Sequence, residues 1–379
     1  MLDVSHLKKL NEEIKSCMEN NREILDELRR EIKPLAGCCR RIQSRSTTSI
    51  SLVATDGGNN SVEFDPYLIH IIRVVDSSNN QYHMEVLTPT TPPAVLTRRH
   101  IDEDGTPKTP LGDMMISLGV KSLEELSPMI PRENQKKPVS VSWIQVYREL
   151  VEWSILLKII DKDFATDTVI LFDGFLRSKI FRKELFAKYL DLLNEKIEVK
   201  RRNNRRLYIA GIAKHSKVLS RYRAAMILEN VLTNSWPEYV EVPRELEEKS
   251  YKWAEYARGN DRVVEGSEAN KFVGGKLFFV KFGNSKYDPI WPIDIFLPQV
   301  NDAQLIFGSL LNDAISGFPI PFYPMSLQKA HENAALVDFD YQIIQDSVIE
   351  GIMLSLKEEG VKLESLMLQE KDPSRFRYG

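Results

Sequence analysis

The chain has 379 residues, of which 42% are hydrophobic and 28% charged, with a formal net charge of −3. That length and apolar content suit one large elaborated domain or two ordinary ones with a real core, and they exclude a disordered or collagen-like chain. No apolar run approaches the roughly 18 residues of a membrane span, and three cysteines (Cys17, Cys38, Cys39) fit neither a disulfide framework nor a CxxC metal pattern.

The N-terminal stretch MLDVSHLKKLNEE lacks a signal-peptide layout, so a reducing cytoplasm is the expected compartment. Residues 3–33 carry helix formers with apolar positions at Leu7, Leu10, Ile14, Cys17, Ile24, Leu25, Leu28 and Ile32, and Pro34 ends the pattern. The spacing predicts one long amphipathic helix or two.

Three strand-like runs follow: TTSISLVAT ending at Asp56, YLIHIIRVVD from Tyr67, and QYHMEVLTP from Gln81. The connections DGGNNS and SSNN read as turns, which predicts an antiparallel meander with a hairpin turn starting at Asp56. Residues 90–140, rich in Pro, Thr, Gly and charge, predict a long excursion with one short helix and some mobile chain. WIQVYRELVEWSILLKII then predicts a helix with an apolar stripe at Trp143, Val146, Leu150, Trp153, Leu157 and Ile160. DTVILFDG and RLYIAGIAK are short, continuously apolar runs of the kind found in buried parallel strands. The helical stretches SKIFRKELFAKYLDLLNEKIEV and RYRAAMILENVLT follow them in turn. The last third predicts a hairpin (KLFFVKFG with PIWPIDIFLP) and helices near Ala303–Ile315, Leu327–Ala335 and Tyr341–Leu356.

The order β-β-β-α-β-α-β-α predicts an α/β fold: a mixed sheet of three antiparallel strands followed by parallel α/β units, with helices on both faces. Added N- and C-terminal elements divide the chain into a helical segment at 1–45, a central domain at 46–340 with insertions at 90–140 and 235–300, and a helical segment at 341–379.

Two strands end alike, LVATDGG in Asp56 and VILFDGF in Asp173. Either Asp-Gly alone is most simply a turn starter. If the two strands lie parallel and adjacent, both carboxylates emerge at the carboxyl edge, where α/β folds place their sites. Paired carboxylates with few histidines or cysteines favour Mg²⁺ or Mn²⁺. The intervening helix offers Glu149 and Glu152 as further carboxylates, and helical geometry alone does not choose between them. Lys214 closes a third strand at the same expected edge, although an ordinary exposed lysine is equally reasonable. His331 lies on a late helix, where a lone histidine is more often structural than a ligand.

In this order the motifs ATDGGNNSVEF, RELVEW, VILFDGFL, IAGIAKHSK and FPIPFYPMSLQKAHENA, spanning residues 50 to 335, resemble those of the NurA nucleases, which have an RNase H-like fold. That resemblance implies a Mn²⁺- or Mg²⁺-dependent DNA nuclease, holding two ions and cutting 5′ to 3′ from ends and endonucleolytically on single strands. It implies a homodimer that docks on a hexameric HerA-type ATPase to resect double-strand breaks. Carried over by motif, Asp56, Glu152 (against or alongside Glu149), Asp173 and His331 would hold metal, and Lys214 would offset phosphate charge. Arg40, Arg41 and Arg45, with Lys200, Arg201, Arg202, Arg205 and Arg206, would contact DNA phosphates. Two other readings compete. An RNase H-like scaffold without catalysis could serve as a DNA or motor adaptor. An actin-like phosphotransferase would need a second phosphate loop, for which FVGGKLFF is the one weak candidate.

Overall fold

The computed structural model describes residues 4–45, 50–64, 67–132, 142–182, 184–251, 272–336 and 338–355. The N-terminal amphipathic pattern forms two helices, α1 (Val4–Asn20) and α2 (Arg22–Ile32), interrupted at Asn21. Among the described residues one sheet of nine strands organises the molecule. In chain order these are β1 (Arg40–Arg41), β2 (Ile50–Phe64), β3 (Tyr67–Asp76), β4 (Gln81–Leu87), β5 (Asp167–Asp173), β6 (Leu207–Ile212), β7 (Glu238–Glu241), β8 (Gly275–Lys281) and β9 (Ile290–Phe296). Across the sheet they run β1-β7-β8-β9-β6-β5-β2-β3-β4.

The meander β2–β3–β4 is antiparallel, and β5 and β6 join it parallel to β2. This is the RNase H-like order expected from the sequence. The expected late hairpin is β8 with β9, and it continues the same sheet through the antiparallel β6–β9 pair.

The turn expected at Asp56 is not there. β2 runs unbroken through Asp56, Gly57 and Gly58 to Phe64, with Asp56 opposite Val75 and Phe64 opposite Tyr67, so the chain reverses eight residues later. The physical reason is that β2 has two partners of different length. Its parallel ladder with β5 ends at Thr55 opposite Phe172, while its antiparallel ladder with β3 carries on. Asp-Gly-Gly therefore marks where β2 leaves the parallel sheet and not where it turns.

The 90–140 excursion also departs from expectation. It folds into α3 (Pro93–His100), α4 (Pro110–Ser117) and α5 (Leu123–Leu126), with Thr109 and Ser122 capping the last two by accepting from Gly112 N and Glu125 N. Leu96, Leu111, Met114, Met115, Leu123 and Leu126 are buried. Their partner is α6 (Ser142–Ile160), which is buried nearly all round and not along a single stripe. WSILLKII has too much apolar surface for a sheet to cover on one side, and the short helices cover the other.

Alternation sorts the layers. Ile170 and Phe172 of β5 face the core built with α6 and α7 (Leu185–Arg202), whereas Val169 and Leu171 face α10 (Ala303–Ile315) and α11 (Met325–Ala334). Beyond β6, α2, α8 (Lys217–Leu228) and α9 (Arg244–Ser250) cover β7 and β8 through Val240, Val242, Leu277 and Phe279. α12 (Asp338–Ser355) follows as expected. With both faces covered, β5 and β6 are the buried strands their sequences predict.

A polar chain runs through the α6 layer. Thr109 Oγ1 lies 2.7 Å from His100 Nδ1, and His100 Nε2 lies 2.6 Å from the Tyr147 hydroxyl. Tyr147 in turn donates to Glu85, which also accepts from Arg99 at 2.8 Å. Because Tyr147 gives its one proton to Glu85, the His100 proton sits on Nε2 and Nδ1 accepts from Thr109. Burial depresses His100 to about 4. Burial alone would raise Glu85, but bonds from His83, Tyr147 and Arg99 outweigh it and hold the carboxyl at about 2.

Candidate active site at the carboxyl ends of the parallel strands

The β2–β5 register brings position 56 beside Asp173. Thr55 pairs with Phe172 at the last rung of the parallel ladder, so positions 56 and 173 are the next residue of each strand, just past its carboxyl end. The side chains of residues 50–67 lie outside the described set, so the placement of Asp56 is one of backbone only.

Asp173 is described in full. Its Oδ2 lies 3.0 Å from Lys214 Nζ and its Oδ1 accepts from the Tyr323 hydroxyl at 3.3 Å. The carboxylate is 18% exposed and the lysine side chain 35% exposed, so the pair stands at the surface. Lys214 reaches it because Asp173 pairs with Ile212 in the β5–β6 ladder and Lys214 is two residues further on, just before the Ser216 cap of α8. Alternation puts Asp173 on the α10/α11 side, the side of Tyr323, whose ring packs on Trp291 at 4.7 Å between centroids.

Directly after Asp173 the chain turns through Gly174, whose φ of +140° suits glycine alone. Gly211 of β6 must also lack a side chain, because a Cβ there would come within 2.4 Å of the Gly174 carbonyl oxygen. The loop beyond is pinned by Arg177. Its guanidinium donates to Asp294 twice, each at 2.8 Å, and pairs with Glu247, all three side chains being buried. Asp294 Oδ2 also accepts from Leu176 N at 3.2 Å.

The helix carboxylates belong to the opposite layer. Glu149 Oε1 accepts from Ser178 Oγ at 2.6 Å and from Trp153 Nε1 at 3.3 Å, and burial raises its pKa. Trp153 stacks on Phe172 at 4.6 Å, so Glu149 lies near the end of β5 on the far face from Asp173. Glu152 Oε1 is 3.5 Å from Arg148 Nε. His331 is exposed on α11, which packs over β2 and β3; two residues on, Asn333 Nδ2 donates to the carbonyl of Asp76, the residue opposite Thr55. Asp173 and Lys214 are thus in contact, with position 56 and the His331 helix alongside. Among the described residues no three His, Cys, Asp or Glu side chains stand close enough to hold a metal ion.

The basic run lies elsewhere. Lys200, Arg201 and Arg202 end α7, and Arg206 N donates to Asp167, the first residue of β5. The run therefore borders the amino ends of β5 and β6, roughly 20 Å from Asp173 along a seven-residue strand. Lys200 Nζ is taken up by the carbonyls of Asp161 and Lys162 at 3.0 and 2.9 Å and by Asp163 at 3.1 Å. Arg40 and Arg41 sit on the edge strand β1, with Arg41 over the Trp236 ring, and the Arg45 carbonyl accepts from Asn312.

Sequence reasoning did not single out Tyr323, although it lies inside FPIPFYPMSLQKAHENA. Arg177 and Asp294 carried no signal at all, since a buried pair 117 residues apart in sequence leaves no local pattern.

The fold and site define an α/β protein with a polar, half-exposed cluster at the carboxyl ends of adjacent parallel strands, the position where such folds place reactive chemistry. No family model matches the chain, and no curated protein does. Among solved structures it is similar to the NurA nuclease from Sulfolobus solfataricus, at 15% identity over 94% of this chain and 99% of that one, with a TM-score of 0.40. It is also similar to NurA with manganese (11% identity, 90% and 98% coverage, TM-score 0.40) and to NurA bound to dAMP and manganese (12%, 89% and 94%, 0.36). No helix among the described residues is long and apolar enough to cross a membrane.

Proposed function

We propose that the chain is a divalent-metal-dependent DNA nuclease of the NurA type. The observation that carries this reading is the arrival of positions 56 and 173 together just past the last β2–β5 rung, Thr55 opposite Phe172, with Lys214 paired to Asp173. The donor set suits Mn²⁺ or Mg²⁺: hard carboxylate oxygen, half-exposed, with room for water and phosphate to supply the remaining ligands. Asp56 and Asp173 would hold the metal with His331; Glu152 or Glu149, on the α6 side of the sheet, would join the set only by reaching around the end of β5. A bound ion, or a pair, supplies an activated water and a counter-charge for the leaving oxygen.

The chain's own residues do the rest. The Lys214 ammonium, 3.0 Å from Asp173, would neutralise charge growing on the phosphate oxygens. The Tyr323 hydroxyl fixes the rotamer of Asp173 through Oδ1. Gly174 keeps side-chain bulk away from the strand end where a phosphate would approach. The exposed arginines of the 200–206 run and Arg40, Arg41 and Arg45 would track phosphates of longer DNA away from the chemistry.

The substrates are single-stranded DNA, cut internally, and duplex ends degraded 5′ to 3′. The setting is double-strand break resection in the cytoplasm, by a homodimer docked on a HerA-type ATPase. The test is cleavage of end-labelled single-stranded and duplex DNA with Mn²⁺, Mg²⁺ or EDTA. Asp56→Ala and Asp173→Ala are each expected to abolish cleavage while leaving fold and oligomeric state intact. Metal-dependent cleavage surviving in either variant would overturn the site. A wild-type chain that binds DNA and never cuts it would leave the scaffold reading.

A further inference from the structure

The segment between α10 and α11, residues 316–324, presents apolar side chains to solvent and ends next to Tyr323, which reaches Asp173. Phe318 is 75% exposed and Ile320 41% exposed, two of several large apolar side chains that face solvent among the described residues. The loop is held firmly. At its base Asp313 accepts from Ser326 Oγ at 2.6 Å and from Ser326 N. Gln328 then clamps it from inside, accepting from Ile320 N at 2.9 Å and donating to the carbonyls of Ile320 and Tyr323 at 3.0 and 2.9 Å.

Phe322 adopts φ +57°, a left-handed conformation that costs an aromatic residue energy and persists only where surroundings impose it. The loop also folds back on the residue that touches the site. A Cβ on Gly317 would come within 2.2 Å of the Tyr323 carbonyl oxygen, so Phe318 follows directly from a residue packed on Tyr323. Tyr323 in turn donates to Asp173.

A strained, clamped loop thus carries a solvent-facing aromatic residue next in sequence to Gly317, which packs on the backbone of the tyrosine that reaches Asp173. Resting on the nuclease reading above, we propose that Phe318, flanked by Ile320, is a stacking platform for an unpaired nucleobase of the strand whose phosphate lies at Asp173 and Lys214. Every base has a flat apolar face, so one aromatic ring serves any sequence but requires the base to be unpaired. The platform would therefore select single strands or frayed ends over intact duplex. A protein occupant would more naturally use a broad apolar surface than one ring on a clamped loop that leads to Tyr323 and, through it, to Asp173.

The experiment is a binding cycle with fluorescein-labelled single-stranded DNA in EDTA, read by anisotropy. Four pairings are measured: wild type and Phe318→Ala, each with an intact oligonucleotide and with one carrying consecutive abasic sites. Phe318 is exposed, so the variant should fold, which circular dichroism checks. Phe318→Ala is expected to weaken binding of intact DNA roughly 5- to 100-fold, to change abasic binding much less, and to be rescued by Phe318→Trp. Equal losses on intact and abasic DNA, or none on either, would overturn the platform. A variant that binds DNA normally but loses self-association would assign the loop to a protein interface instead. A wild type that cleaves DNA while Phe318→Ala matches it in binding sinks the platform alone. A wild type that neither binds nor cleaves DNA sinks the nuclease reading and the platform with it.

Discussion

Two aspartate–cation pairs lie close to one another in this fold and differ in nearly every respect. Asp173 meets Lys214 at one contact of 3.0 Å at the surface, with its other oxygen on a longer bond from Tyr323. Asp294 meets Arg177 through two bonds of 2.8 Å, out of reach of water, with a backbone amide and Glu247 completing the group. Lysine brings a compact charge on a flexible stem, and arginine a rigid fork that fills a carboxylate's lone pairs. The first pair can be taken apart by a ligand at small cost to the fold, whereas the second cannot. The contrast separates groups available for reaction from groups that hold the loop beside them.

The largest expected effect is on reaction, at the exposed pair. Asp173→Asn should lower metal-dependent cleavage at least about 10³-fold. The same change should move the unfolding free energy by less than about 1 kcal/mol, since exposed ion pairs contribute little. A variant that lost both activity and stability would show Asp173 to be structural and erase the contrast.

At the buried pair the signs reverse. Asp294→Ala leaves the Arg177 charge without its fork partner in a closed interior, at an expected cost of about 3–5 kcal/mol in urea unfolding. Any loss of cleavage should follow the unfolded fraction. If Asp294→Ala remained as stable as wild type, the loop after Asp173 would not depend on that clasp.

How much of this was legible beforehand follows from the range of the forces involved. The strand order could be read because β5 and β6 are short, continuously apolar runs, a local signal of burial on both faces. The parallel adjacency of β2 and β5, which brings positions 56 and 173 to the same edge of the sheet, is legible in the same way. The absence of a turn at Asp56 is not, because Asp-Gly-Gly is turn chemistry wherever no partner strand continues, and β3 does continue. The helices at 93–126 were hidden by polar composition, since their few apolar residues are sufficient only against α6. For the 200–206 run, charge alone does not separate a solvated face from a phosphate-binding one, and nothing in the sequence shows that three oxygens occupy Lys200. Arg177–Asp294 joins distant parts of the chain, and such contacts leave no spacing to read.

The Glu85–Tyr147–His100 chain offers a third kind of pair, buried like Arg177–Asp294 but able to titrate. His100 falls from an ordinary 6.5 to about 4 in the fold, so the neutral ring contributes stability above pH 6.5 that is lost as pH drops toward 4. Glu85, held at about 2 against 4.5, contributes above pH 4.5 and loses it on further acidification. Both act in the same direction, each at no more than about 3 kcal/mol because the two groups interact. Urea midpoints should therefore fall steadily from pH 7 to pH 4. His100→Asn should flatten the limb between 6.5 and 4, and an unchanged limb would place the acid sensitivity elsewhere.

The smallest effect tests which carboxylate of α6 is free to react. Burial raises Glu149 despite the bonds it accepts from Ser178 and Trp153. A carboxyl raised in the fold is favourable below its unfolded pKa and becomes a cost as pH climbs through its folded value. Glu149→Gln keeps an oxygen for both donors and removes that cost, so stability at pH 8 should rise, by no more than about 1 kcal/mol. If Glu152 is the reacting carboxylate, Glu149→Gln should cut DNA nearly as wild type does and Glu152→Gln should not. If instead Glu149→Gln gains stability and loses cleavage, the roles exchange: a carboxylate kept ionised in the α6 layer against its own burial would then be the group the fold sacrifices stability to keep near the end of β5.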